Sequence, residues 1–183
     1  MLSIGRDITE RKRATQQMRR FQLAAEASSD AIGMSTPEGE HYYQNRAFDE
    51  LFGDVGDDPP ASLYVDQDVG REVFAAIMSG ERWNGEVEMY GKDGGVHNVL
   101  LRAYSLKDNS GQVVGLVGVH TDITGLKRKK RKIRRLNSLL RAIRNVNQAI
   151  AGEDDPESLL GRACDILLEV PQHEHVWAAT FDK

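Results

Sequence analysis

The sequence predicts an α+β domain: a five-stranded antiparallel sheet with helices on one face, flanked by long N- and C-terminal helices. Three observations carry this. Strand-like segments come as two, then a set of helices, then three, rather than in strict α/β alternation. Trp83, Gly85, Val87 and Met89 alternate with Asn84, Glu86, Glu88 and Tyr90, the period of two of a half-buried strand. Asp-Ile-Thr occurs at residues 7–9 and again at 122–124, about one compact domain apart, each time ending an apolar stretch and opening a charged helical one.

Each element follows from local chemistry. A helix is expected from Glu10 to Ala27, with Met18, Phe21 and Ala25 three and four apart on one face. Ala31 to Ser35 reads as a short strand, Pro37-Glu38-Gly39-Glu40 as a turn, and His41 to Gln44 as the returning strand. Asn45 is placed to cap a short helix that turns Phe48, Leu51 and Phe52 inward, and Gly53 stops it. Asp54 to Pro60 is a loop, and Val69 to Met78 a helix with Val73, Phe74 and Ile77 on its buried side. Gly91 to Gly95 makes a hairpin turn between the Trp83 strand and a strand from Val96 to Leu106, in which Val99, Leu101 and Ala103 share a face. Val113 to Ile123 is almost wholly apolar, as a central strand should be.

Composition narrows the classes. The apolar share is 40% and the charged share 28%, enough for a core and a solvated surface. No apolar run reaches the roughly 20 residues of a membrane-spanning helix, and the start has no secretory pattern. With Cys164 as the only cysteine, no disulfide framework forms within one chain, and a cytoplasmic setting is expected, with a membrane anchor elsewhere in a longer parent left open. The net charge of −4 conceals a division. Lys127 to Arg135 is basic at every position except Ile133, whereas residues 36–68 hold carboxylates against Arg46 alone. The body of the domain is therefore not built to hold nucleic acid.

Asn45-Arg46-Ala47-Phe48-Asp49-Glu50-Leu51-Phe52-Gly53, Trp83-Asn84-Gly85-Glu86, Lys92-Asp93-Gly94 and the terminal Asp122-Ile123-Thr124 together resemble the successive hallmarks of PAS domains, over about Phe21 to Thr124. The resemblance implies a small pocket enclosed by helices, and a place in the cytoplasmic part of a sensor kinase, cyclase or transcriptional regulator. Residues 1–9 resemble the tail of an upstream PAS domain, joined by a connecting helix over 10–27. Residues 125–152 read as a signalling, coiled-coil helix. Residues 153–183 resemble the truncated start of a GAF domain, with a first strand at Val176 to Phe181. One strand cannot bury itself, so a longer parent is expected, a two-component histidine kinase being the favoured class.

The expected ligand pocket is lined by Met34, Phe48, Leu51, Phe74, Ile77, Val87, Met89, Leu101 and Val117, residues that plain core packing also explains. Flavin photosensors of the family need a cysteine that Gln44 to Gly53 lacks, and haem-binding members a histidine that Val69 to Met78 lacks, so cysteinyl-flavin and histidine-ligated haem are both disfavoured. His173-Glu174-His175 is a poor metal set, since alternate residues of one strand do not converge with further ligands. Asp66-Gln67-Asp68 lacks the later glutamate of a calcium loop, and no catalytic constellation is visible.

Ile133, Leu136, Leu140, Ile143, Asn147 and Ile150 follow the basic run at spacings of three and four. A homodimer through the flanking helices accounts for them, with Asn147 selecting register. A basic-zipper DNA reader is the disfavoured rival, the seam being short, and a ligand-free interaction module is the other alternative. The expected mechanism passes a change in the pocket or dimer along the final strand. Asp122 would hold the junction, Ile123 anchor it and Thr124 cap the helix that follows.

Overall fold

The computed structural model describes residues 9–56, 60–152 and 155–168. In chain order these form α1 (Thr9–Glu26), β1 (Ala31–Ser35), β2 (His41–Gln44), α2 (Arg46–Leu51), a 3-10 turn (Pro60–Leu63), α3 (Gln67–Met78), β3 (Trp83–Tyr90), β4 (Val96–Lys107), β5 (Val113–Asp122), α4 (Thr124–Gly152) and α5 (Pro156–Leu168). The chain divides into two compact units, Met1–Thr124 and Gly125–Lys183. Asp7, Ile8 and the expected strand at residues 176–181 lie outside the described residues, as does the His173–His175 set. No described helix is long and apolar enough to cross a membrane.

The five strands form one antiparallel sheet in the order β2-β1-β5-β4-β3. Hairpins join β3 to β4 and β4 to β5, so β1, far off in sequence, closes the sheet against β5. The core gathers on the sheet face that α2 and α3 cover, with Phe48, Met89, Val99 and Leu101 at its centre. Along β3 the outward residues are exposed while Val87 and Met89 are buried, as its alternation requires.

Asn45 holds three elements together. Its side chain is wholly buried. Oδ1 accepts from the amides of Ile32 (2.9 Å) and Phe48 (3.0 Å), and Nδ2 donates to the carbonyls of Ala25 (2.8 Å) and Asp30 (3.0 Å). The residue caps α2 and also ties it to β1 and to the end of α1. Glu26 adds to this joint, accepting from the Tyr43 hydroxyl at 3.0 Å and from the Arg46 amide at 3.1 Å.

Some local expectations are corrected. α3 starts at Gln67, two residues before Val69, because the Asp66 side chain caps it by accepting from the Asp68 amide. Its buried stripe is Gly70, Val73 and Ile77, so Phe74 flanks the stripe and is 42% exposed. Gly70 allows a close approach there: a Cβ would sit 3.1 Å from the ring of Tyr64, which would have to shift to admit it. On α1, Met18 and Phe21 are exposed, since the ties of this helix to the sheet are made by its last residues.

Asn45→Ala takes away the side-chain partner of the Ile32 amide and the Asp30 carbonyl, and one of two hydrogen bonds at both the Phe48 amide and the Ala25 carbonyl. Chemical denaturation is expected to show a loss of about 3 kcal/mol or more; a loss below about 1 kcal/mol contradicts the clamp.

Candidate functional site

Between the sheet and α3 lies a cavity of about 350 Å³. Of the nine residues expected to line a pocket, Met34, Phe48, Phe74, Ile77, Leu101 and Val117 border it. Val87 and Met89 lie in the hydrophobic core, and Leu51 borders a second cavity of about 220 Å³. The pleat separates Met34 and Val117 from the others. They pair with each other, while their neighbours Gly33 and Gly118 face Phe48, His41 and His120. Their backbones border the cavity and their side chains stand on the opposite face of the sheet.

Two histidines are the polar groups that the sequence did not announce. Ser35 pairs with His41 and Met34 with Tyr43, so Tyr42 is the extra residue of a β-bulge. The bulge turns His41 and Gln44, three apart in the chain, to the same side, where His41 Nε2 and Gln44 Oε1 are 3.1 Å apart. His120 is fully enclosed and its Nδ1 lies 3.1 Å from the Ala31 carbonyl oxygen. Phe48 stacks between them, 5.4 Å from the His41 ring centre and 5.6 Å, edge-on, from that of His120. The paired glycines make room for this cluster. A Cβ at Gly33 would come within 2.9 Å of the Phe48 ring, and one at Gly118 within 2.7 Å of His120.

Burial keeps both rings neutral. It lowers the pKa of His41 despite the Gln44 hydrogen bond and the charge of Asp54. It pushes that of His120 down to about 4 despite the Ala31 carbonyl. His41 Nδ1 is the only buried side-chain nitrogen or oxygen among the described residues without a partner. No group of three or more His, Cys, Asp or Glu among those residues is placed to hold a metal ion.

β5 runs from the cavity to the junction at 122–124. Leu116 and Gly118 line the larger cavity, His120 borders both cavities, and Asp122 borders the second. At the strand end, Ile123 N donates to Asn98 O at 2.9 Å and Asn98 N donates to Thr124 Oγ1 at 2.8 Å. The expected cap is corrected here: Thr124 is the first helical residue, and its hydroxyl serves the sheet. Asp122 takes the capping role, its Oδ1 accepting from Thr124 N at 2.8 Å. A carboxylate is also the right charge at this end. The basic run from Lys127 to Arg135 occupies the early turns of α4, where the helix dipole is itself positive.

His97 joins the junction to the β3–β4 turn. Its Nδ1 lies 3.2 Å from Asp122 Oδ2 and its Nε2 3.2 Å from Asp93 Oδ1. Partial burial opposes the imidazolium, but hydrogen bonds and charge from Asp93 and Asp122 outweigh it and raise the pKa. For Asp122, burial likewise opposes the charge, and contacts with Thr124 and His97 prevail to lower the pKa.

The histidines therefore titrate on opposite sides of the ordinary value of about 6.5. His97 stabilises the fold fully below pH 6.5, and that contribution disappears as the pH rises through its raised pKa. His120 acts in the other sense: the unfolded chain takes up its proton first, so stability falls from pH 6.5 towards 4, by about 3 kcal/mol in full. Proton NMR titration is expected to find His97 above 6.5 and both His41 and His120 below it. A His120 that titrates normally contradicts this assignment.

Comparison with known proteins agrees with the geometry. The family model described as PAS domain matches residues 29–125. No curated protein matches the chain significantly. Among solved structures, the chain is similar to the PAS domain of a protein from Colwellia psychrerythraea, at 24% identity and a TM-score of 0.53, covering 60% of this chain and 98% of that one. It is similar to an RNA-binding light-oxygen-voltage receptor at 20% identity and a TM-score of 0.58, covering 75% of this chain and 40% of that one. A domain of a sensory box sensor histidine kinase/response regulator from Geobacter sulfurreducens matches at 23% identity and a TM-score of 0.50, covering 60% and 96%. The α+β fold, the central cavity and the match over 29–125 lead to one conclusion: the chain belongs to the PAS domain family.

Proposed function

We propose that this sensory domain detects a small ligand in the cavity beneath α3 and passes the change to α4 through Asp122, Ile123 and Thr124. One observation carries the reading: β5 forms part of the cavity wall and the same strand ends in the junction that starts α4. A ligand pressing on His120 acts on a residue separated from the helix by only Thr121, Asp122 and Ile123. Asp122, which caps that helix and pairs with His97, is the natural point at which strand displacement changes helix stability. In this reading the domain catalyses nothing itself. It regulates the output of a multidomain signalling protein, of which a sensor histidine kinase is the type we favour.

Asp122→Ala removes the capping carboxylate and leaves the core untouched. The expected cost is about 1 kcal/mol of stability, with loss of the response of the α4 backbone to a cavity ligand. In a full-length signalling protein bearing this domain, unchanged ligand control of output in that variant contradicts the relay.

The exposed seam of α4 favours a dimer as the transmitting unit. Ile133, Leu136, Leu140 and Ile143 recur at spacings of three and four, and each is exposed in the single chain. A second copy would cover them, and a small rotation of the paired helices would then carry the signal. Light scattering is expected to show a dimer that Leu136→Glu with Leu140→Glu converts to a monomer. A wild-type monomer at high protein concentration contradicts this arrangement.

A further inference from the structure

His97 stands between the β3–β4 turn and the start of α4, and a neutral ring cannot make both of its contacts. Nδ1 lies 3.2 Å from Asp122 Oδ2, and Nε2 lies 3.2 Å from Asp93 Oδ1. Both carboxylates are held below the ordinary carboxylate range, Asp93 chiefly by the Gly95 amide and Asp122, despite its partial burial, by Thr124 and His97. Ionised, each can only accept. Two acceptors require two N–H groups, and only the imidazolium has two. A neutral ring keeps one N–H and sets a lone pair against the other carboxylate. Whichever partner keeps the proton, the bridge from the turn to the junction is broken.

The packing fits this ring. A Cβ at Gly91 would fall 2.6 Å from the His97 ring and 2.9 Å from Asp93 Oδ1, so the glycine leaves the space that both occupy. The His97 side chain is 21% exposed, enough for protons to exchange with solvent. On β3, Met89 pairs with His97, while Glu88 and Tyr90 alternate to the other face. Lys92, beside Asp93, is turned to α2, where its Nζ donates to the Asp49 carbonyl at 3.3 Å. Lys127, the nearest cation to Asp122 along the chain, stays charged throughout the range in which an imidazole titrates.

We propose that the domain has a second input, the proton: His97 binds it, and the imidazolium couples the β3–β4 turn to the Asp122 cap of α4, tightening the junction in acid and releasing it as the pH rises. This input needs no occupant in the cavity, and it rests on the relay reading only for the onward passage into α4. The raised pKa of His97 puts the change above 6.5, apart from His41 and His120, which titrate below that value.

Amide exchange on the full chain, corrected for base catalysis, tests this between about pH 6 and pH 9. Protection of the Thr124 amide is expected to fall about tenfold. Its midpoint should match that of the His97 ring, followed by nitrogen-15 NMR. His97→Gln, which cannot titrate, should abolish the dependence. Asp93→Asn should flatten it with protection retained, since an amide can donate to the ring as well as accept from it. Thr124 protection that stays constant through the His97 titration overturns the proposal, and this is read on the wild-type protein, whatever the variants do. Ala103→Leu, which fills part of the cavity, separates the two readings. A junction that follows pH but ignores the filled cavity supports the proton input and contradicts the relay from the cavity. One that answers the filling and ignores pH overturns the proton input alone.

Discussion

The amide of Asn45 is the constraint from which the rest of the domain follows. Four hydrogen bonds from one buried side chain set the end of α1, the start of β1 and the first turn of α2 relative to one another. A buried amide with every donor and acceptor matched has one geometry, and rearrangement would expose unpaired groups to a low-dielectric interior. The position of α2 delivers Phe48 to the centre of the core and brings Asp49 and Gly53 against Gln44. The cap of a six-residue helix thus determines the hydrogen-bonding state of a histidine in the cavity wall.

The same economy appears at the far end of the sheet. Thr124 is at once the first residue of α4 and a hydrogen-bonding partner of β4 through Asn98. Asp122 serves the helix with one carboxylate oxygen and His97 with the other. The helix gains little from its own early charges, because the basic residues from Lys127 onward face the positive end of its dipole. Its start therefore depends on the strand. In the proposed relay, displacement of β5 would reach the first turn of α4 through these bonds.

Much of this was legible in the sequence because it rests on local patterns. The alternation of β3, the Asn45 cap, the Gly53 stop at a positive φ of 81° and the succession of strands and helices along the chain all follow from short-range chemistry. What escaped depends on irregularity or long-range contact. The bulge at Tyr42 shifts the facing of β2 by one residue, so no simple period places His41 inward. Met34 and Val117 fit a core by composition, yet the pleat turns them to the opposite face, a fact set by the β1–β5 register. Phe74 lies one helical position off the buried stripe of α3. Asp122 displaced Thr124 as the cap because Asn98, 26 residues earlier in the chain, claims the threonine hydroxyl.

The central claim is that the cavity and the start of α4 are one mechanical unit joined by β5. Ala103→Leu fills part of the cavity from β4, opposite Gly118, and imitates an occupant without adding a ligand. Amide hydrogen exchange on the full chain then reads the junction directly, through the hydrogen-bonded amides of Asn98, Ile123 and Thr124. The account predicts altered exchange at those amides and in the first turn of α4, together with the expected changes beside residue 103. Changes confined to the cavity wall, with junction amides exchanging as in the wild type, would contradict it.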